Sequence, residues 1–229
     1  MIINPLRINF KMKFLIQLLL FYCISFSIKA QTAFLPEIQK YDSANAKILR
    51  GQIVTYGSST IRFWASADKD LSFDNLKVVN RGFGGSKADE AIFYFDRVVM
   101  PLRPKWLFFY EGDNDLWAGR SVDTVFQDYQ IFINMVKKKL PTTRLVVFSI
   151  KHSPSRMTMF DSQLRLNEKL KNYCKPLKNV YFLDTATPML NNEGKPDPKY
   201  FIKDMLHMNP DGYALWASVV QKFYKRFKM

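Results

Sequence analysis

Five short apolar runs, each followed by a stretch with helical spacing, constrain the fold of this chain more than any other feature. The runs are rich in β-branched and aromatic residues, which is typical of buried strands. The predicted strands are Gln52–Tyr56, Leu76–Asn80, Lys105–Tyr110, Arg144–Ile150 and Asn179–Asp184. Strands that alternate with helices form a parallel sheet covered on both faces. The sequence therefore predicts an α/β fold in which right-handed crossovers bring the carboxyl ends of all five strands to one edge.

Between and around these runs, apolar residues recur at the spacing of helices that bury one face. Ser121 is a suitable cap for one of them and Pro141 follows its end. The predicted helices are a short leading helix within residues 31–50, then Thr60–Asp68, Ala88–Val99, Val122–Leu140, Met157–Cys174 and Pro210–Phe227. No repeat or linker interrupts the pattern, so we expect a single domain over residues 31–229.

Residues 1–30 have the pattern of a secretory signal peptide. Basic residues precede the apolar run Phe14–Ile28, and the small residue Ala30 follows it. The run is shorter than the roughly 20 residues that a membrane-spanning helix needs. We therefore expect cleavage near Ala30 and an exported, periplasmic or secreted protein with no stable membrane span. An uncleaved anchor and a lipoprotein modified at Cys23 are the alternatives.

The chain is strongly basic, with a formal net charge of +14. Removal of residues 1–30 takes away four basic residues and no acidic ones, which leaves +10. Such a charge favours anionic partners, but the basic residues are scattered, as in Lys137–Lys139 at a predicted helix end. There they complement the helix dipole. Solvated surfaces therefore explain the charge better than a nucleic-acid site does, and we expect no nucleic-acid partner.

The sequence does not favour a metal, a disulfide or a nucleotide. It contains two histidines and two cysteines and lacks the CxxC and HExxH patterns of zinc sites. Signal cleavage would leave Cys174 alone, without a partner for a disulfide. The turn Gly57–Thr60 lacks the lysine and the glycine content of a phosphate-binding loop. We expect no metal and no cofactor.

Chemically useful residues follow the predicted strands. Taken singly, each has a structural interpretation as a helix cap, an Asx turn or a glycine turn. In a parallel sheet, however, they converge on one edge, where open α/β sheets bind ligands. The groups concerned are Gly57-Ser58-Ser59, Gly84-Gly85, Gly112-Asp113-Asn114 and Asp204-x-x-His207. A hydroxyl, backbone and amide donors and an Asp/His pair are the components of acyl transfer.

These segments resemble the four blocks of the SGNH, or GDSL-type, hydrolase superfamily. The blocks are Gly57-Ser58-Ser59, Asn80–Ser86 with Gly85 as the matching glycine, Gly112-Asp113-Asn114-Asp115, and Asp204-Met205-Leu206-His207. The resemblance extends over essentially all of residues 50–228. It implies a carboxylic ester hydrolase with a flavodoxin-like, three-layer α/β/α sandwich, in agreement with the strand count.

The resemblance also implies a role for each matching residue. Ser59 would be the nucleophile, His207 its base and Asp204 the acid that orients the base. The Ser59 N–H, the Gly85 N–H and the Asn114 side chain would form the oxyanion hole. The chain departs from the family pattern at Ser58, which replaces the aspartate of the first block and is a rival nucleophile.

The two histidines are not equivalent. Only His207 has an aspartate at the family spacing, whereas His152, in the loop after the fourth predicted strand, is expected to line the pocket or to be exposed.

The substrate is less determined than the chemistry. Export and short loops favour a small acyl group, acetyl in particular, on a carbohydrate; a lysophospholipase-like activity and a non-catalytic glycan-binding module are the alternatives. Arg156 is a candidate contact for an anionic glycan or lipid head group. Four apolar residues near the blocks either line a pocket or belong to the core: Trp64 (for which core is favoured), Phe83, Trp117 and Met205.

Overall fold

The five predicted strands form one sheet in which every strand is parallel to its neighbours. A computed structural model describes residues 33–73 and 75–227; the predicted signal peptide lies outside these residues. The strands are β1 (Ile53–Gly57), β2 (Val78–Gly82), β3 (Trp106–Tyr110), β4 (Arg144–Phe148) and β5 (Val180–Leu183). Their order across the sheet is β2-β1-β3-β4-β5. The flavodoxin-like arrangement expected from the sequence is thereby confirmed.

Helices cover both faces of the sheet and give three layers. The helices are α1 (Leu35–Asn45), α2 (Ser59–Arg62), α3 (Ala67–Asp70), α4 (Ala88–Val98), α5 (Asp113–Trp117), α6 (Val122–Lys139), α7 (Phe160–Cys174) and α8 (Pro210–Lys225). On one face α1, α4, α6 and α7 bury their apolar sides against strand residues such as Val54 and Phe109. On the other face α2, α3 and α8 pack against residues such as Trp106 and Phe148.

Two predicted helices differ from the structure by more than two residues. The predicted helix Thr60–Asp68 is divided into α2 and α3, because the side-chain amide of Asn80 binds the carbonyl oxygen of Ile61 at 2.7 Å. The predicted helix Met157–Cys174 starts at Phe160 and is preceded by 3-10 turns over Pro154–Met159. The short helix α5 was not predicted, since its five residues are too few for a periodic pattern.

Strand β2 lies two residues further along the chain than predicted. Arg81 and Gly82 belong to it, paired with Tyr56 and Gly57 of β1, although the predicted strand ends at Asn80. A side chain at Gly82 would collide with the backbone of Arg62, so this glycine permits α2 to lie against the strand.

The strand order places a switch point between β1 and β3. The chain leaves β1 to form β2 on one side and later returns to form β3 on the other. Connections that depart in opposite directions leave a crevice beyond the strand ends. Ser59 follows β1 and Asn114 follows β3, so both stand at this crevice. Within the residues described, no helix is long and apolar enough to cross a bilayer.

Candidate active site

Ser59 stands at the first turn of α2, directly beyond the end of β1. Gly57 makes the tight exit possible: its φ is +143°, and a Cβ there would lie 2.8 Å from the carbonyl carbon of Tyr110 and closer still to its oxygen. The N–H of Ser58 then binds that same oxygen at 3.2 Å. As the first residue of α2, Ser59 has an N–H without an intrahelical acceptor.

The imidazole of His207 lies between Ser59 and Asp204. Its Nε2 is 3.0 Å from Ser59 Oγ and its Nδ1 is 2.6 Å from Asp204 Oδ2. Because an ionised carboxylate only accepts hydrogen bonds, Nδ1 carries the proton and Nε2 is left to accept one from the serine. The three groups are therefore arranged for general-base activation of an alcohol.

The carboxylate of Asp204 is held in its ionised form. Desolvation works against ionisation, but hydrogen bonds from the His207 ring and from the N–H groups of His207 and Leu206 outweigh it and lower the pKa of Asp204 to about 2. A negative charge is consequently in place to stabilise an imidazolium at His207.

The loop that carries Asp204 and His207 is closed by backbone contacts. The N–H of Ile202 binds the His207 carbonyl at 2.9 Å. Met205 has a φ of +56°, and its carbonyl accepts hydrogen bonds from the N–H and the hydroxyl of Ser155. The loop after β4 thus supports the loop that carries His207.

The side-chain amide of Asn114 is fixed at both ends. Its Nδ2 donates to the Ser86 carbonyl at 2.9 Å, and its Oδ1 accepts from Arg156 Nη2 at 3.1 Å. An arginine only donates, so the amide oxygen must face Arg156 and the NH2 group must face the glycine loop. One N–H of that group binds Ser86 and the other remains for a ligand.

The glycine loop after β2 lies beside Ser59. A Cβ added to Gly84 would be 3.9 Å from the Cβ of Ser59. The next residue, Gly85, has a φ of +86°, a conformation that disfavours other residues. The structure thus brings Ser59, the Gly84–Gly85 loop and Asn114 to the same crevice as His207 and Asp204.

The buried carboxyl group of Glu111 contacts the glycine loop through the side chain of Ser86. Ser86 Oγ lies 2.6 Å from Glu111 Oε1 and 2.9 Å from the Phe83 carbonyl. Burial and, to a smaller extent, the charge of Asp115 raise the pKa of Glu111 well above its usual range. A protonated Glu111 donates to Ser86, and Ser86 then donates to Phe83, so each hydroxyl hydrogen has an acceptor.

Three buried charges lie beneath Asn114. Asp113 is 2.8 Å from Lys151 Nζ and 2.9 Å from Arg156 Nη1. Burial opposes ionisation of Asp113, but the two cations outweigh it and lower its pKa. Sequence reasoning missed this cluster; the only signal was that charged residues directly follow two buried strands.

Three polar residues singled out from the sequence are buried in the structure. His152 is buried rather than exposed, and its Nδ1 lies 2.9 Å from Gln163 Oε1. Arg156 is only 8% exposed and is committed to Asp113 and Asn114, so it is not a free contact for an anionic ligand. Ser58, the rival nucleophile, is 2% exposed.

The apolar residues near the blocks fall into two groups. Trp64 and Phe83 belong to the core, as favoured for Trp64. Trp117, at the end of α5, is 59% exposed, and Met205, between Asp204 and His207, is also exposed. Phe63, not singled out from the sequence, is half exposed and places its ring 4.9 Å from that of His207. Among the described residues, no cluster of three or more His, Cys, Asp or Glu could hold a metal ion.

Comparison with known proteins points in the same direction as the geometry. Residues 51–215 match the GDSL-like lipase/acylhydrolase family. No curated protein sequence is significantly similar to the chain.

Several solved structures share the fold. A GDSL-like lipase from Bacteroides thetaiotaomicron has a TM-score of 0.69 at 19% identity, with coverage of 82% of this chain and 97% of that chain. A member of the lipolytic G-D-S-L family from Veillonella parvula has a TM-score of 0.64 at 21% identity, covering 76% and 98%. A variant of an acetyl-xylooligosaccharide esterase from Geobacillus stearmophilus has a TM-score of 0.62 at 15% identity, covering 77% and 95%. At these identities the likeness concerns the fold alone, and it agrees with the predicted α/β sandwich.

Proposed function

The chain belongs to the GDSL-like lipase/acylhydrolase family and is a hydrolase, and we propose that it removes a short acyl group, acetyl in particular, from a carbohydrate ester. The observation that carries the chemical part of this proposal is the pair of contacts made by His207, to Ser59 Oγ at 3.0 Å and to Asp204 at 2.6 Å.

In the proposed reaction Ser59 Oγ attacks the ester carbonyl while His207 Nε2 takes up the hydroxyl proton. Asp204 keeps the imidazole in the required tautomer and stabilises it once it is charged. The carbonyl oxygen becomes an oxyanion and receives hydrogen bonds from the N–H groups of Ser59 and Gly85 and from the free N–H of Asn114. His207 then returns the proton to the departing alcohol, and water releases the acid from Ser59 by the same steps.

The surroundings of the triad support an ester with a large alcohol part. The side chain of Asp204 is 43% exposed, so the proton-transfer side opens to solvent and leaves room for the rest of a bulky molecule. Trp117 and Phe63 present half-exposed rings at this opening. Flat aromatic faces that combine apolar area with low conformational freedom suit the apolar faces of sugar rings. The fold shared with an enzyme that acts on acetyl-xylooligosaccharides is consistent with this choice.

An active-site label tests the nucleophile. A fluorophosphonate probe is expected to react with the wild-type chain and with Ser58→Ala, because Ser58 is buried and lacks a contact with His207. The probe should not react with Ser59→Ala. Labelling that survives in Ser59→Ala but disappears in Ser58→Ala would reassign the nucleophile, and no labelling of the folded wild type would favour a non-catalytic binding module.

A series of esters tests the substrate. Hydrolysis of p-nitrophenyl esters from acetate to laurate should be fastest for the shortest chains, and acetylated xylooligosaccharides should release acetate. A preference for long chains or for lysophospholipids would contradict the small acyl group and favour the lipid acylhydrolase alternative.

The pattern of residues 1–30 supports the further proposal that the hydrolase acts outside the cytoplasm, on an exported or environmental ester. Expression of the full chain followed by cell fractionation and N-terminal sequencing should show a product that begins near Gln31 in the exported fraction. A product that retains its first residues in the cytoplasm would contradict this.

A further inference from the structure

We propose that Arg156 is a positioning residue for the oxyanion hole, which acts by holding the amide of Asn114 in the one orientation that presents an N–H to the reacting oxygen. The inference rests on the proposed function, since it takes Asn114 to be an oxyanion donor. It assigns a role to a residue outside the four family blocks.

The need for such a residue follows from the chemistry of asparagine. The two ends of its amide have nearly the same shape but opposite hydrogen-bonding character. An amide rotated by 180° would place an oxygen, rather than an N–H, towards the oxyanion, and would replace an attraction by a repulsion. The Ser86 carbonyl favours the productive orientation at one end through a 2.9 Å hydrogen bond. Arg156 Nη2 enforces it at the other end, where a donor 3.1 Å from Oδ1 would meet a second donor if the amide were reversed.

The guanidinium group is itself held rigidly. Arg156 is buried, its Nη1 lies 2.9 Å from Asp113, and Lys151 lies 2.8 Å from the other oxygen of that carboxylate. The ring of Trp117 lies over the guanidinium group of Arg156, with its centroid 5.2 Å from the guanidinium carbon. Asp113 and Trp117 are the first and last residues of α5, and Asn114 lies between them. One side chain from the loop after β4 therefore contacts both ends of the short helix and the donor within it.

Only the planar fork of an arginine can serve these partners together. One arm reaches Asp113 and the other reaches Asn114, whereas a lysine offers a single ammonium group at the end of a flexible stem. Arg156→Lys keeps the positive charge beside Asp113 but is expected to lose the fixed donor to Asn114. The lysine variant therefore separates orientation of the amide from charge.

The experiment is a double-mutant cycle on p-nitrophenyl acetate with Asn114→Ala, Arg156→Lys, Arg156→Met and the corresponding double variants. We expect Asn114→Ala to lower kcat by about 10²- to 10³-fold, the range for loss of one oxyanion donor. Both Arg156 variants should lower kcat by about 10- to 100-fold with KM changed by less than about threefold. In the Asn114→Ala background the same Arg156 changes should cost less than about threefold more, because no amide is left to orient.

Arg120→Met is the matched control. Arg120 also pairs with an aspartate of α5, at 2.6 Å from Asp115, but has no contact with Asn114. If its kcat falls as far as that of the Arg156 variants at equal thermal stability, general loosening of α5 explains the effect and the inference is overturned.

The remaining outcomes are distinct. Full additivity of the Arg156 and Asn114 effects on kcat would overturn the inference. An Arg156→Lys variant with an unchanged kcat and a raised KM for anionic esters would also overturn it, because Arg156 would then be a substrate contact. A wild-type kcat in Asn114→Ala would remove the oxyanion role of Asn114 and the positioning role of Arg156 together. A low kcat in Asn114→Ala beside unchanged Arg156 variants would overturn the positioning role alone.

Discussion

Substitution of Asp204 by asparagine should separate the proposed catalytic role of this residue from its role in stability. The asparagine oxygen can still accept the N–H groups of Leu206 and His207, which now bind Asp204 Oδ1 at 2.9 Å each. Its NH2 group, however, faces His207 Nδ1, where the carboxylate now accepts a hydrogen bond. The imidazole must then place its proton on Nε2, and Nε2 can no longer accept one from Ser59.

The cost to activity follows from this reversed tautomer. In a fully buried triad the same exchange lowers kcat by about 10⁴-fold. Here the acid is partly exposed, so its electrostatic contribution is weaker while the effect on the tautomer remains. We expect a loss of kcat of about 10³-fold, which corresponds to about 4 kcal/mol of activation free energy.

The cost to stability is smaller and depends on pH. The pKa of Asp204 falls from 3.8 to about 2, which at about 1.4 kcal/mol per pH unit corresponds to about 2.4 kcal/mol. Solvent screening of a side chain that is 43% exposed reduces this to about 1 kcal/mol. Because folding lowers the pKa, this stability is present above about pH 4 and disappears as the pH falls towards 2.

The assay combines hydrolysis of p-nitrophenyl acetate with chemical unfolding at a series of pH values. Asp204→Asn should unfold about 1 kcal/mol more easily than the wild type at pH 7 and equally easily near pH 2. Asp197→Asn is a matched control: Asp197 also accepts a nearby backbone N–H and pairs with a basic side chain, but it has no contact with His207. Its kcat should be unchanged. A variant Asp204→Asn that keeps more than a tenth of the wild-type kcat would refute the tautomer argument.

Two further substitutions test the buried supports of the site. In Glu111→Gln a neutral amide replaces a carboxyl group whose pKa is raised by burial. The unfolding free energy of the wild type should therefore fall as the pH rises above about 4.5, whereas that of the variant should change less. If the two curves of unfolding free energy coincide from pH 5 to 8, Glu111 is not protonated in the folded protein. Gly57→Ala forces a Cβ into the Tyr110 carbonyl and should lose more than about 4 kcal/mol of unfolding free energy. Gly119→Ala, with a φ of +80° but open space around it, should lose only about 1–2 kcal/mol; similar losses in urea unfolding would contradict the steric explanation.

The architecture could be predicted from the sequence because apolar strand runs and amphipathic helix patterns are both local features of the chain. Apolar runs such as Trp106–Tyr110 are typical of buried strands, and their alternation with amphipathic segments predicts a parallel sheet. The division of the helix after Ser59 was not predictable, because it results from the side chain of Asn80, which reaches across from another strand. Propensity along the chain carries no information about that contact.

The site shows the same division between local and distant information. Ser59, Asn114, Asp204 and His207 stand in recognisable blocks, so their meeting could be predicted from strand order. Arg156 stands outside any block, and the sequence made it a candidate contact for an anionic glycan or lipid head group. Its burial and its contact with Asn114 depend on the packing of the loop after β4 against α5, which only coordinates reveal.

The hydrogen bond between Ser59 and His207 joins residues 148 positions apart. Ser59 is translated early, whereas His207, its proposed proton acceptor, is translated just before α8. In the proposed mechanism a ribosome-bound chain that stops before residue 207 lacks the base for Ser59, so release of acid would report that both ends of the domain have been translated and have come together. Ester turnover can thus serve as a sensitive readout of complete folding, for example when chaperone requirement or C-terminal clipping is measured.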